Sequence, residues 1–173
     1  WKNLAMEGTR AWWGYEFPET DATAGEKAAK VTPYDSKVEE GNETPCEMLL
    51  VTPALDYVNA ASKMFTFRVR GDYLYDEMPD KLELVYIGLN NGEMETYPVT
   101  GFSMPATKDE SGEWREFHID LAQLEPADVF FMGFRFTSTR GTANSATYYI
   151  DDVSFGRTDL PVIRPSETDI TLN

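Results

Sequence analysis

Hydrophobic positions along this chain alternate with polar ones far more often than they recur at helical spacing. From Lys63 to Arg70 the alternation is unbroken, with Phe65, Phe67 and Val69 on one side and Met64, Thr66, Arg68 and Arg70 on the other. That is the period of a strand with one face in a core. Trp114 to Leu121 repeats it, turning Phe117, Ile119 and Leu121 inward, and Asp128 to Ser138 aligns Phe130, Met132, Phe134 and Phe136. Lys81 to Gly88 predicts a further strand; Asn90-Asn91-Gly92 then signals a tight turn, so Glu93 to Val99 is expected to return antiparallel. Glu47 to Val51 reads as a short strand, and the chain turns at Pro53, which has no amide to give a ladder. A strand near Lys27 to Val31 precedes an acidic loop from Asp35 to Pro45, while the chain from Trp1 to about Lys30 otherwise reads as irregular and partly stranded.

No long window sustains a helical period, although Asp120 to Glu125 has room for one helical turn. Roughly seven to nine short strands between Pro, Gly and Asn turns predict an all-β domain, a two-sheet jelly-roll β-sandwich, because each sheet must bury one face against something. The closing strand breaks the pattern. Tyr148 to Phe155 carries Asp151 and Asp152 side by side in otherwise apolar, β-forming sequence. Adjacent acids on a strand point to opposite faces unless a bulge intervenes, and at least one needs a cation, a donor cluster or water. The pair is therefore a candidate calcium anchor. Calcium takes six to eight oxygens, so backbone carbonyls and a remote acid would have to converge on it. The alternative is one solvated carboxylate and one bonded to loop amides or to an arginine such as Arg135.

Composition narrows the classes. The 173 residues suit one domain, and an aromatic content of 13% exceeds what a core alone usually demands, so some rings are candidate surface ligands. Thirty acids against fifteen Lys and Arg give a net charge of −15, which opposes nucleic acid and anionic membranes. Cys46 is the single cysteine, so no intrachain disulfide and no cysteine metal cluster is possible. No apolar run approaches the roughly 20 residues that span a bilayer, and no membrane insertion of this segment is expected. The chain opens at Trp1 without an initiator methionine, and Arg157 onward has the Pro-rich, polar composition of a tether, with Asp169 to Asn173 a candidate start of a following module. The expected organisation is thus a sandwich domain over 1–156 and a linker over 157–173, cut from a larger protein whose export signal lies elsewhere.

The succession Leu50-Val51-Thr52-Pro53-Ala54-Leu55-Asp56, Lys63-Met64-Phe65-Thr66-Phe67, Trp114 to Leu121, Val129 to Phe136 and Tyr149-Ile150-Asp151-Asp152-Val153 resembles the choice-of-anchor J and cleaved-adhesin domains. Those are jelly-roll modules of secreted and surface proteins in Bacteroidetes, and the likeness covers about residues 45 to 156. It implies a galactose-binding-like or MAM-like sandwich on the cell surface, appended to other modules and sometimes holding a structural calcium ion. In related carbohydrate-binding jelly rolls the closing-strand acids share that ion with a group near the start of the domain. Here that group would be Glu16, Glu19 or Asp21.

Flat aromatic faces stack on sugar rings. Trp12 and Trp13 beside Tyr15 are the first candidates for that role, with Tyr73 and Tyr75 in the Gly71 to Pro79 loop as further ones. Strand alternation exposes at most one of the paired tryptophans. Arg70-Gly71-Asp72 spells a cell-adhesion tripeptide where a strand is expected to turn. His118 is the single histidine and falls on the solvent side of its strand, without a catalytic partner. With one histidine, one unaccompanied cysteine and no Gly-x-Ser-x-Gly turn, nucleophilic and histidine-metal catalysis nearly vanish as routes, while a pair of tuned carboxylates stays open although nothing in the spacing selects one. The expected function is a non-catalytic adhesion or carbohydrate-binding module of an exported surface protein, with a glycan or a host or surface protein as partner. The alternatives are a structural spacer touching neighbouring domains, or an accessory domain of a secreted hydrolase.

Overall fold

The computed structural model describes residues 1–18, 27–39, 44–90, 92–124, 131–139 and 145–158. Ten strands are described: β1 (Lys2–Glu7), β2 (Trp13–Glu16), β3 (Lys27–Val31), β4 (Cys46–Val51), β5 (Met64–Asp72), β6 (Lys81–Asn90), β7 (Glu93–Pro98), β8 (Trp114–Asp120), β9 (Phe131–Ser138) and β10 (Thr147–Phe155). They form two five-stranded antiparallel sheets, ordered β1-β4-β9-β6-β7 and β2-β3-β10-β5-β8, in the jelly-roll sandwich that the alternation predicts. The Asn-Asn-Gly signal does make a hairpin, with Asn90 paired to Glu93.

Aromatic and sulfur-bearing side chains meet between the sheets. From one layer come Phe65, Phe67 and Val69 of β5 with Tyr148 and Ile150 of β10; from the other come Met48 of β4, Leu84 of β6 and Met132, Phe134 and Phe136 of β9, all essentially solvent-free. Phe67 lies at the centre of this packing. Its ring stacks on Phe117 at 5.1 Å and meets Phe134 edge-on at 5.2 Å, Phe65 at 5.8 Å and Phe102 at 6.3 Å. The buried Asp80 closes one end of the core by accepting hydrogen bonds from the Ser138 hydroxyl and, at 2.7 Å, from the Ala146 amide.

The first sheet is apolar on both sides. Leu49 and Val51 of β4 with Val85 and Ile87 of β6 make a second cluster, against which Leu4 and Phe131 pack. This is why Met48 to Val51 and Leu84 to Ile87 read as continuous apolar runs rather than alternating ones. Gly133 sits inside that cluster because there is no room for a side chain: a Cβ would stand 2.8 Å from Leu49 Cδ1 and 3.3 Å from Val85 Cγ2.

Three local expectations change. The opening segment forms two strands, β1 and β2, which are the outer edges of the two sheets. Edge strands bury little, and the largely exposed Lys2–Glu7 leaves no alternation to read. Past β8 the chain makes a tight turn, closed by the Leu124 amide donating to the Leu121 carbonyl at 2.9 Å, in place of the expected helical turn. The loop after Pro105 instead contains a 3-10 turn over Lys108–Glu110.

Glu110 holds that turn together. Its carboxylate accepts from the Ala106 amide at 2.9 Å, the Thr107 amide at 3.0 Å and the Thr107 hydroxyl at 2.9 Å, and it meets Arg115 at 2.5 Å. The Ala106 amide above all, with both Thr107 donors and the Arg115 charge, holds its pKa down to about 2 from an ordinary 4.5. A carboxylate whose folded value is depressed stabilises fully above its unfolded value and loses that contribution as pH falls toward the folded one. Glu110→Ala is therefore expected to cost about 1 kcal/mol at neutral pH. The cost should shrink through the window from 4.5 down to about 2. Urea unfolding at the two ends of that window checks it.

Candidate functional site

A bulge does interrupt β10 just past the first of the twin acids, and it opens the site. β10 last pairs with β3 at Ile150 and Ala29. Its pairing with β5 slips between Asp151, opposite Arg68, and Ser154, opposite Thr66, while Asp152 takes a left-handed φ of 51°. That conformation is tolerated best by Asp and Asn among side-chain-bearing residues. A cleft of about 570 Å³ lies here, lined by Asp151, Asp152 and Val153 of β10 and by Lys27, Ala28 and Ala29 of the neighbouring β3.

The aromatic part of the lining comes from Trp1, just before β1, from Trp12, just before β2, and from Trp13, the first residue of β2. Alternation separates the paired tryptophans, leaving Trp12 only 3% exposed while Trp13 is 43% exposed; Trp1 is 57% exposed. Trp12 is anchored inward by its indole N–H, which donates to the Met48 carbonyl at 3.3 Å. Its backbone is clamped by Asn3, whose Oδ1 accepts from the Trp12 amide at 3.1 Å and whose Nδ2 donates to the Trp12 carbonyl. Asn3 thereby ties the edge of one sheet to the approach of the other, and the position of Trp13 follows from it.

The two acids differ in environment. Asp151 is half-buried and accepts from the Asp152 amide at 2.8 Å. Burial pushes its carboxyl above the usual range, and the amide bond offsets part of that rise. Asp152 is exposed and faces Arg68 at 3.4 Å. Arg135, an example of the arginine that one of these acids could bond, is committed to Glu83 at 2.7 Å on the other sheet, and Arg68 takes that place. Glu16 pairs with Lys27 at 3.0 Å, and Glu19 and Asp21 lie outside the described residues. Among the described residues no three or more acids, histidines or cysteines gather around one point. Two carboxylates, one of them engaged by Arg68, fall short of the oxygens calcium takes. The described residues therefore do not fit the ion by themselves.

Around the corner from the cleft, the outward face of the second sheet carries a cross-strand row in register: Trp13, Lys30, Tyr149, Arg70 and Trp114. The Lys30 ammonium lies 4.3 Å from the Tyr15 ring centre, 5.3 Å from Tyr149 and 5.7 Å from Trp13. Burial lowers its pKa, against a raising influence from Asp72. Phe17 caps the middle of the row, 5.0 Å from Tyr149 and 6.0 Å from Trp114. Arg70 Nε donates to Asp72 at 2.8 Å, so the charged ends of the Arg-Gly-Asp tripeptide bind each other. Tyr73, 74% exposed with a left-handed φ of 59°, and the half-buried Tyr75 follow β5 but do not line the cleft. His118 faces outward beside Glu116 at 3.2 Å, and Cys46 is buried, with its thiol pushed up by that burial.

Trp1, Asn3 and Lys30 do not stand out from the sequence as site residues. The one signal at Trp1 is its being a large aromatic in the same opening segment as the paired tryptophans, eleven residues before Trp12. Asn3 and Lys30 carried none, because their roles depend on pairings between strands that periodicity does not reveal.

No protein-family model matches the chain, and no curated protein does. Among solved structures, the K1 cleaved-adhesin domain of Lys-gingipain from Porphyromonas gingivalis W83 overlays with a TM-score of 0.49 and 16% identity, over 87% of this chain and 89% of that one. The carbohydrate-binding module TmCBM61, solved in complex with β-1,4-galactotriose, gives a TM-score of 0.48 and 15% identity over 88% and 84%. A chain from carbohydrate-binding modules of the β-sandwich superfamily gives 0.45 and 14% over 89% and 56%. All three are what this chain is similar to in its course. The all-β assignment rests on its own two sheets.

Proposed function

We propose that this domain is a non-catalytic carbohydrate-binding or adhesion module of an exported, surface-located protein, and that the cleft beside the β10 bulge is its glycan site. The observation that carries this reading is one lining shared by two exposed tryptophans and two carboxylates. Indole faces cover the C–H faces of sugar rings, and carboxylate oxygens accept strong hydrogen bonds from sugar hydroxyls. Apolar lining with a few convergent polar groups is the ordinary makeup of a small-ligand site. Lys27 lines the cleft and pairs with Glu16, an exposed pair worth little to stability. The resemblance to choice-of-anchor J and cleaved-adhesin modules supports the same class and a Bacteroidetes-type surface location. Among the described residues no helix is long and apolar enough to cross a membrane.

In this reading Trp13 and Trp1 stack on the sugar, Trp12 fixes the floor, and Asp151 and Asp152 take hydroxyls. A glycan array probed with the intact domain tests it. Binding is expected to a restricted set of oligosaccharides and to vanish in the double variant Trp1→Ala, Trp13→Ala at unchanged melting temperature. No binding across the array, with a tight contact to a neighbouring module of the same polypeptide, would instead make the domain a spacer.

A further inference from the structure

We infer that the site selects acidic glycans, carrying a uronate or a sulfate, and that Lys30 is the residue that selects them. This rests on the carbohydrate reading above and adds the charge of the ligand. The chain as a whole repels anions, with thirty acids against fifteen Lys and Arg. Three of those cations nevertheless stand on one face of the second sheet, Lys30 on β3 and Arg68 and Arg70 on β5, with β10 between them. Two of the three face acids, Arg68 at Asp152 and Arg70 at Asp72. Lys30 makes no hydrogen bond and no ion pair among the described residues; its ammonium lies against the rings of Tyr15, Tyr149 and Trp13, with Asp72 acting on it only through its charge.

A half-buried ammonium has given up part of its hydration, and aromatic faces return only part of that loss. An anion arriving beside Trp13 would complete its shell. Lys30 is directly opposite Trp13 in the β2–β3 ladder. A carboxylate or sulfate on a sugar stacked on that indole would come within reach of the ammonium, which lies 5.7 Å from the ring centre. The cleft wall does not forbid such a ligand. Arg68 faces Asp152 and offsets its charge. The other charged groups facing Lys30 from packed strands are Asp72 and Arg70 of β5, which bind each other.

The test is an array printed with matched pairs, each uronate oligosaccharide beside its carboxyl-reduced form and each sulfated one beside its desulfated form. The wild type should prefer the acidic member by roughly tenfold, with the preference shrinking as salt rises. Lys30→Gln should erase most of that preference, and Lys30→Arg should keep it. The uronate and sulfate arms separate the two anion sources. Equal binding of both members, or a preference that Lys30→Gln leaves in place, overturns the inference while leaving the carbohydrate reading standing. No binding to any member sinks both.

Discussion

Phe67→Ala is expected to destabilise the domain by about 3–5 kcal/mol, a large share of what keeps a domain of this size folded. Phe67 is fully buried at the centre of the sandwich and touches four other rings, from its own strand, from β8, from β9 and from the loop after β7. Removing it forfeits the transfer of a whole ring from water. It also leaves a hole that Phe65, Phe102, Phe117 and Phe134 cannot close, because flat rings fixed by their own strands do not flow into a neighbour's space. In urea the midpoint should fall while the slope stays the same, since the surface exposed on unfolding is nearly unchanged. A loss below about 1 kcal/mol would mean that the two layers are not held by this ring cluster.

Trp13→Ala is expected to weaken glycan binding at least about thirtyfold, roughly 2 kcal/mol, while leaving the unfolding midpoint nearly unmoved. Its indole is largely outside the core, so stability has little stake in it, whereas a stacked sugar would lose its platform. Trp12→Ala should show the opposite balance. Its ring is buried and its N–H holds the Met48 carbonyl, so truncation opens the core and orphans a buried acceptor. Calorimetric titration and thermal unfolding of the two variants side by side give the comparison. If both lose binding and stability in equal measure, the indole of Trp13 is packing rather than platform.

Much of the architecture was legible because the second sheet obeys a simple rule. β5 and β8 largely bury one face, so period-two alternation survives in their sequences and even orients Phe67, Phe117 and His118 correctly, whereas β10 buries Thr147 to Ile150 on both faces. The rule fails where a strand has no buried face, as in β1, or two, as in β4 and β6. The site was half legible. Both paired motifs, Trp12-Trp13 and Asp151-Asp152, stood out from residue chemistry alone. Their convergence did not, because it depends on β2 lying next to β3, β3 next to β10, and a slip in the β10–β5 register. The tyrosines at 73 and 75 satisfied the same chemical criterion yet lie off the cleft. The tripeptide at 70–72 was legible as letters, but its internal ion pair was not.

The arrangement of β1 and β2 has a practical corollary for anyone trimming this domain. The first sixteen residues form a clasp, one half laid along β4 and the other along β3. A fragment beginning after Glu7 would lose both Asn3 bonds to Trp12 and would bare the backbone of β4 along its length, an invitation to self-association. Loss of ligand and onset of aggregation should therefore arrive together as the boundary moves inward.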